Sequence, residues 1–283
     1  MYRGFRAVTE LPAAHRVAYQ GVEGAYGNLA ALHYFGENRG IRFLHLPCFE
    51  ETVNAVEAGH ADYAVLPIEN STAGSVTDTY DLLMHHSLSI VGECFLPVTH
   101  SLLTLPGVRE EELRRVYSHP QGLMQCADFF RMHPELEGIS CSNTAVAAQK
   151  VRDDADRTQA AIASAYAGAL YGLTPLIERV NRFSENTTRF VILGRERLYR
   201  RDARKLSLVL ETAHEAGALY HILGYFYRNR VNLLRLESRP VPEVSWEYRF
   251  FMDIEGNLGQ PAVLEALQAV AAKARGFRVL GCC

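Results

Sequence analysis

Nowhere in these 283 residues do apolar side chains run long enough to cross a bilayer. The opening residues, Met1 to Glu10, include arginines but lack the apolar core and small-residue cleavage site of an export signal. A cytoplasmic protein with no membrane partner is the expectation. Charge is equally unremarkable: the formal net charge is −3, with no basic run, which removes any electrostatic reason to expect nucleic acid or an anionic surface. The six cysteines, Cys48, Cys94, Cys126, Cys141, Cys282 and Cys283, include no C-x-x-C pair and form no cysteine-histidine cluster. They read as reduced, mostly buried thiols. The adjacent histidines His85 and His86 would point in different directions on a helix, so no metal site is expected. What is present is an ordinary globular composition, 48% hydrophobic and 22% charged, long enough for two domains and suited to a small-molecule partner.

Over roughly the first 195 residues, strand and helix patterns alternate, the signature of α/β layers. Arg16 to Gln20 reads as a strand, and G-V-E-G-A-Y-G then opens a helix from Asn28 to Phe35. The glycine spacing is not that of a dinucleotide fingerprint, and it fits either a tight turn or an anion cradle at a helix N-terminus. Ile41 to Leu46 is a second strand, Phe49 to Ala58 a helix, and Tyr63 to Ile68 a third strand delivering Glu69, Asn70 and Ser71 to its carboxyl end. Asn70 and Ser71 fit a turn or a cap of the next helix, while a buried carboxylate beside an amide and a hydroxyl is expensive unless used, which favours a site. The apolar stretch from Leu88 to Leu105, broken at Pro97, reads as one long strand crossing to a second lobe. Arg115 to Ser118 is a strand, with Ser118 placed to cap the helix that begins at Pro120, and Gln121 and Gln125 lie one turn apart on that helix. Asn143 or Thr144 would cap the next helix.

The stretch E-N-T-T-R-F, Glu185 to Phe190, runs into the apolar Val191-Ile192-Leu193. Strand alternation puts Thr188 and Phe190 on one face and Thr187 and Arg189 on the other. From Arg195 to Lys205 the chain is basic and reads as a linker. Beyond it the order strand-helix-strand-strand-helix-strand makes a separate ferredoxin-like domain. The expected division is 1–195, a linker over 196–204, and 205–283.

Read together, V-L-P-I-E-N-S-T-A-G-S-V, Y-S-H-P-Q, N-T-A-V-A-A, A-A-I-A-S with L-Y-G-L, and N-T-T-R-F closely resemble the prephenate dehydratases, in the same order. G-A-L-Y-H-I-L, N-L-L-R-L-E-S-R-P and W-E-Y-R-F-F-M-D-I-E-G resemble the ACT regulatory domain that follows the catalytic part in that family. The resemblance implies a two-lobed α/β catalytic region similar to type II periplasmic binding proteins, then a βαββαβ ACT domain. It implies loss of carbon dioxide and the ring hydroxyl from prephenate to give phenylpyruvate, with no cofactor required, and feedback inhibition by L-phenylalanine.

By motif, the resemblance assigns catalysis to Thr188, Glu69, Asn70, Ser71 and Gln125, and substrate binding to Ser118, Thr144, Arg189 and Asn186. Strand alternation turns Arg189 away from Thr188 unless a bulge intervenes, so it either braces the cleft or touches substrate. Gly217, Ala218, Leu219, Asn232 and Leu233 would bind the effector, with Glu237, Ser238, Arg239 and Pro240 transmitting its state. A homodimer or homotetramer is implied. Val22 and Gly27 depart from the family's usual proline and small hydroxyl residue, and Ala216 from its proline. Some relatives carry a chorismate mutase first; no long helical segment precedes Val17, so that activity is not expected here. Arogenate dehydratase and a non-catalytic small-molecule sensor are the alternative readings.

Overall fold

The computed structural model describes residues 4–36, 40–181, 185–241, 244 and 246–283. After β1 (Arg6–Val8), β2 (Arg16–Gln20) buries Val17, Ala18 and Tyr19. A turn whose Gly21 and Gly24 take φ of +105° and +87° leads into α1 (Tyr26–Phe35). Then come β3 (Arg42–Leu46) and α2 (Phe49–Glu57), whose apolar spacing buries Val53 and Val56. Next are β4 (Tyr63–Asn70), the short β5 (Gly74–Ser75) and α3 (Thr77–His85). The apolar stretch expected as one strand is two, β6 (Ser89–Pro97) and β7 (Ser101–Thr104). After Pro97, which has no N–H to donate, Val98 N–H turns to the carbonyl of Asn186 at 2.7 Å, and the chain leaves the ladder.

The second half holds β8 (Arg115–Ser118), α4 (Pro120–Gln125), α5 (Ala127–Met132), β9 (Glu137–Ser140), α6 (Thr144–Asp154) and β10 (Gln159–Ala163). It continues through α7 (Ala165–Tyr171), β11 (Thr174–Ile177), β12 (Thr187–Gly194) and β13 (Leu198–Arg200). The last elements are β14 (Lys205–Glu211), α8 (Ala218–Arg228), β15 (Leu233–Pro240), β16 (Tyr248–Glu255), α9 (Pro261–Lys273) and β17 (Gly276–Cys282).

The chain divides into two compact units: Met1–Ala13, His85–Glu93 and Ile192–Cys283 in one, Ala14–Met84 and Cys94–Val191 in the other. The second unit has two lobes, each on its own sheet. One sheet runs β3-β2-β4-β12-β6 and the other β9-β8-β10-β7-β11. Both follow the same plan: the second, first and third strands of the lobe are neighbours, and the segment arriving from the other lobe inserts before the fourth. Such a repeat places the carboxyl ends of parallel strands and the starts of the following helices at the rim of each lobe, where an open α/β sheet holds its ligand. Small residues let α6 and α7 pack closely: Ala145, Ala147, Ala148 and Ala167 are buried with Leu103 and Tyr117.

In the first unit, β14, β15, β16 and β17 form an antiparallel sheet ordered β15-β16-β14-β17, the ferredoxin-like arrangement, with α8 and α9 packed over it. Ile222, Phe226, Leu208, Met252 and Val270 sit in its core. The basic stretch expected to be a linker contains β13, which pairs with β1 in parallel register, Arg6 opposite Leu198. Leu198 and Tyr199 are buried between exposed arginines, and Ala203 joins the same core. Composition averages over charges that point outward and so hides a strand of this kind. No helix among the described residues is long and apolar enough to cross a membrane.

Candidate active site

A cavity of about 490 Å³ lies between the two lobes of the Ala14–Met84 and Cys94–Val191 unit. Thr188 and Phe190 of β12 line it and Arg189 does not, as strand alternation requires. Arg189, although buried, instead reaches Glu69, its guanidinium 3.7 Å from the carboxylate. Glu69 is absent from the cavity lining, so the structure pairs these two expected site residues with each other rather than placing them among the cavity walls.

The structure brings Asn70, Thr188 and Asn186 together. Asn70 Nδ2 donates to Thr188 Oγ1 at 2.9 Å and to Asn186 Oδ1 at 2.7 Å. Its Oδ1 accepts from the backbone N–H groups of Thr72 and Ala73 at 3.0 and 2.9 Å and from the Thr72 hydroxyl at 2.8 Å. Ser71 ties the turn after β4 to the start of β12: its hydroxyl donates to the Glu185 carbonyl and accepts from Thr187 N–H. It supports the site without lining it. Gln125 enters from α4 in the other lobe, donating to the Thr72 hydroxyl at 3.2 Å and meeting His100 Nε2 at 3.0 Å.

Ser118 does not cap α4. Its hydroxyl donates to the Ile162 carbonyl at 2.7 Å, and a Cβ on Gly122 would fall 2.6 Å from that oxygen, so serine and glycine pack hand in glove behind the cavity. His119 caps the helix, its Nδ1 accepting from Gln121 N–H at 3.2 Å, and it is His119 that lines the cavity. Thr144 lines it too, at the start of α6, where Asn143 is the cap and accepts from Val146 N–H at 2.8 Å. The glycine turn contributes Ala25, Tyr26 and Gly27 to the wall. A Cβ at Gly27 would press to 3.0 Å from the Gln20 carbonyl, which accounts for glycine at this departure from the family pattern.

Sequence reasoning passed over Thr72, Tyr26, His100 and His119. Thr72, His119 and Tyr26 each lie inside a stretch already singled out, E-N-S-T, Y-S-H-P-Q and G-V-E-G-A-Y-G, and membership was the signal available; nothing in sequence marks His100. Among the described residues lining the cavity there is no Asp, Glu, Lys or Arg. The starts of α1, α3 and α6 face the cavity instead, represented by Ala25 and Tyr26, Ser75 and Val76, and Asn143 and Thr144. Helix N-termini carry partial positive charge and free N–H groups. An apolar side is formed by Val65, Pro67, Val98 and Phe190.

Burial lowers the pKa of His100, partly offset by its hydrogen bond to Gln125, and lowers that of His119 as well. Burial pushes the Cys126 thiol up to about 12 and Cys282 to about 11, so neither is a thiolate nucleophile. Among the described residues no group of His, Cys, Asp and Glu is arranged to hold a metal ion.

The ferredoxin-like unit has its own cavity, lined by Thr212 to Tyr220 with Glu247, Tyr248 and Phe250. Of the expected effector residues, Gly217, Ala218 and Leu219 line it, with Gly217 at φ +82° opening α8. Asn232 precedes β15 and gives its carbonyl to Glu255 N–H, while Leu233, Glu237, Ser238 and Arg239 lie on β15 outside that cavity. Glu237 pairs with Arg235 at 3.5 Å.

The family model for prephenate dehydratase matches residues 17–198 and that for the ACT domain residues 207–272. The chain is 38% identical over 276 residues to the bifunctional chorismate mutase/prephenate dehydratase of Escherichia coli K12, covering 96% of this chain and 71% of that one. It is 40% identical over 285 residues to arogenate dehydratase 3, chloroplastic, of Arabidopsis thaliana, covering 94% and 66%. Among solved structures, prephenate dehydratase from Arthrobacter aurescens in complex with L-Phe superposes with a TM-score of 0.84 at 30% identity, covering 94% and 89%. GqqA, described as a novel type of quorum quenching acylase, gives 0.81 at 34% identity, covering 94% and 97%.

Two outcomes follow from this geometry. Ser118→Ala leaves the Ile162 carbonyl without its donor and should cost about 1–3 kcal/mol of stability in chemical denaturation while leaving KM unchanged; a raised KM with unchanged stability would place Ser118 on the substrate. His100 and His119 bind protons less readily folded than unfolded, so their contribution to stability is full above the unfolded value, about 6.5, and declines as pH falls below it toward their lower folded values. The midpoint of thermal unfolding should therefore drop between about pH 7.5 and 5.5, and drop less in His119→Asn.

Proposed function

This chain is a member of the prephenate dehydratase family, and on that footing we propose that it converts prephenate to phenylpyruvate, with residues 1–195 as the catalytic region and 205–283 as an ACT domain that lowers activity when L-phenylalanine binds. The observation that carries the reading is a hydroxyl with an open hydrogen: Thr188 Oγ1 accepts from Asn70, and its own hydrogen meets no acceptor among the described residues. In the reaction, the bond from the ring to its carboxylate breaks and releases carbon dioxide. Those electrons enter the ring, the C–O bond at the opposite carbon breaks, and the departing hydroxide takes up a proton from solvent to become water. Aromatisation supplies the driving force.

Thr188 donates its hydrogen bond to the leaving hydroxyl, where negative charge develops. The starts of α1, α3 and α6 hold the substrate's carboxylates, and the apolar side next to Phe190 takes the carboxylate that becomes uncharged carbon dioxide. Gln125 holds Thr72, and Asn70 holds Thr188, so these act as one unit. Glu69 and Arg189 brace the strand ends as an ion pair. Among the described residues no group takes a proton from Thr188, so an acyl-hydrolysing nucleophile, as in GqqA's description, is not the role assigned here.

Arogenate dehydration is the second reading, supported by the plant relatives. Arogenate carries an ammonium where prephenate has a ketone, and the described lining offers that cation no carboxylate, which favours prephenate. The effector cavity of Gly217, Ala218 and Leu219 suits a small amino acid, and the exposed Leu234 and Leu236 of the edge strand β15 support pairing of ACT domains in a homodimer or homotetramer. We place the enzyme in the cytoplasm.

The test is formation of phenylpyruvate from prephenate with and without L-phenylalanine. Expected are turnover, suppression by L-phenylalanine, and a higher kcat/KM for prephenate than for arogenate. Thr188→Ala should lose about 10²–10³ in kcat, the usual loss for one such donor, while still binding substrate. Near wild-type turnover in that variant would remove Thr188 from the chemistry, and ligand binding without any turnover would leave a sensor.

A further inference from the structure

The hydrogen bonds between His100 and Thr188 follow one donor order, and it extends well beyond the residues so far given roles. Backbone N–H groups can only donate, and those of Thr72 and Ala73 both point at Asn70 Oδ1. That fixes the amide, turning Nδ2 to Thr188. Thr72 Oγ1 lies 2.8 Å from the same Oδ1 and so must donate to it, which leaves its lone pairs to accept from Gln125 at 3.2 Å. Gln125 is then oriented with Nε2 toward Thr72 and Oε1 toward His100 Nε2, 3.0 Å away. An amide oxygen there requires a hydrogen on His100 Nε2. Burial disfavours a second proton on the ring, so Nδ1 keeps a lone pair, and the single hydrogen of the Tyr26 hydroxyl is shared between the Thr99 carbonyl at 2.8 Å and Nδ1 at 3.2 Å. Tyr26 stands edge-on to the imidazole with ring centres 5.7 Å apart and holds the ring in place. Every bond from His100 onward donates in one direction, and the chain ends at Thr188.

We propose that His100 is a positioning residue for the dehydration: through Gln125, Thr72 and Asn70 it maintains the donor order that leaves the Thr188 hydrogen directed at the leaving hydroxyl. With the other tautomer, the lone pair of Nε2 would face Gln125 Oε1. Gln125 would turn over to relieve it and set its oxygen against the Thr72 hydroxyl, which would then have a second acceptor competing with Asn70. The alternating break after Pro97 serves this end, because it takes His100 off the ladder and into the site. This role rests on the functional reading above.

The experiment pairs kinetics with a measurement that needs no turnover. In protein labelled with ¹⁵N-histidine, with His100 assigned by its loss in His100→Gln, NMR should report a neutral ring bearing its hydrogen on Nε2. His100→Phe keeps a ring but removes the donor and should lower kcat for prephenate about tenfold, the worth of one ordinary hydrogen bond, with KM little changed. His100→Gln returns an N–H to Gln125 and should recover most of that loss. A hydrogen on Nδ1 instead, an unchanged kcat in His100→Phe, or an effect on KM alone would each overturn the proposal. If His100→Phe does not fold, Thr72→Val breaks the same chain one step on, and an unchanged kcat there overturns it equally. Wild-type protein that turns over neither prephenate nor arogenate overturns the functional reading and with it this role in turnover; the tautomer tells that outcome apart from a failure of the chain itself.

Discussion

The site depends on two backbone N–H groups. Thr72 and Ala73, in the turn after β4, hold the side-chain oxygen of Asn70, and from that contact the orientation of each polar group out to Thr188 on one side and His100 on the other is determined. Side-chain hydroxyls and amides can turn over; a backbone N–H in a folded turn cannot. Anchoring a mobile network on such groups gives it a direction, which a set of side chains bonding only to one another would lack.

That anchoring explains why the site can work without charge in its described walls. Ionised side chains close to a dianion would hold substrate and product alike, and binding both equally well does not accelerate the chemical step. Neutral donors and helix starts offer weaker, fixed dipoles instead, and in the proposed reaction one hydroxyl meets the charge that appears only as the C–O bond breaks. The ion pair of Glu69 and Arg189 fits the same logic. Strand alternation sends Arg189 away from the cavity, and Glu69 accompanies it, so charge is used to brace the strand ends and kept off the reacting face.

The repeated strand plan of the two lobes determines which parts can meet. Each lobe brings its parallel strand ends and helix starts to one rim, so Asn70 and Thr188 arrive from one sheet and Gln125 from a helix of the other. The His100 segment belongs to neither ladder. It lies where the chain passes from β6 to β7, and its freedom from sheet pairing lets the imidazole close the network.

Much of this was legible in the residues alone. Alternating strand and helix patterns, the ferredoxin-like order at the end, and the ordered motifs from E-N-S to N-T-T-R-F were enough to state the fold class and family, because periodicity and motif spacing are local properties. The two faces of β12 were readable for the same reason: a two-residue period follows from the strand itself. Contacts across the chain were not readable. Ser118 looked like a cap beside Pro120, and only the approach of β10 showed its hydroxyl spent on Ile162, leaving the cap to His119. The buried strand in the basic stretch required β1 as a partner, Arg6 standing opposite Leu198 from the far end of the chain. His100 carried no local signal at all, since its role comes from Gln125 and Tyr26, which are distant in sequence and meet it only when the lobes are folded. The sequence by itself determined most of the elements, the family and which residues share a face of β12; the tertiary structure decided which partners the Thr188 hydroxyl meets, because donor order is a property of neighbours brought together by folding.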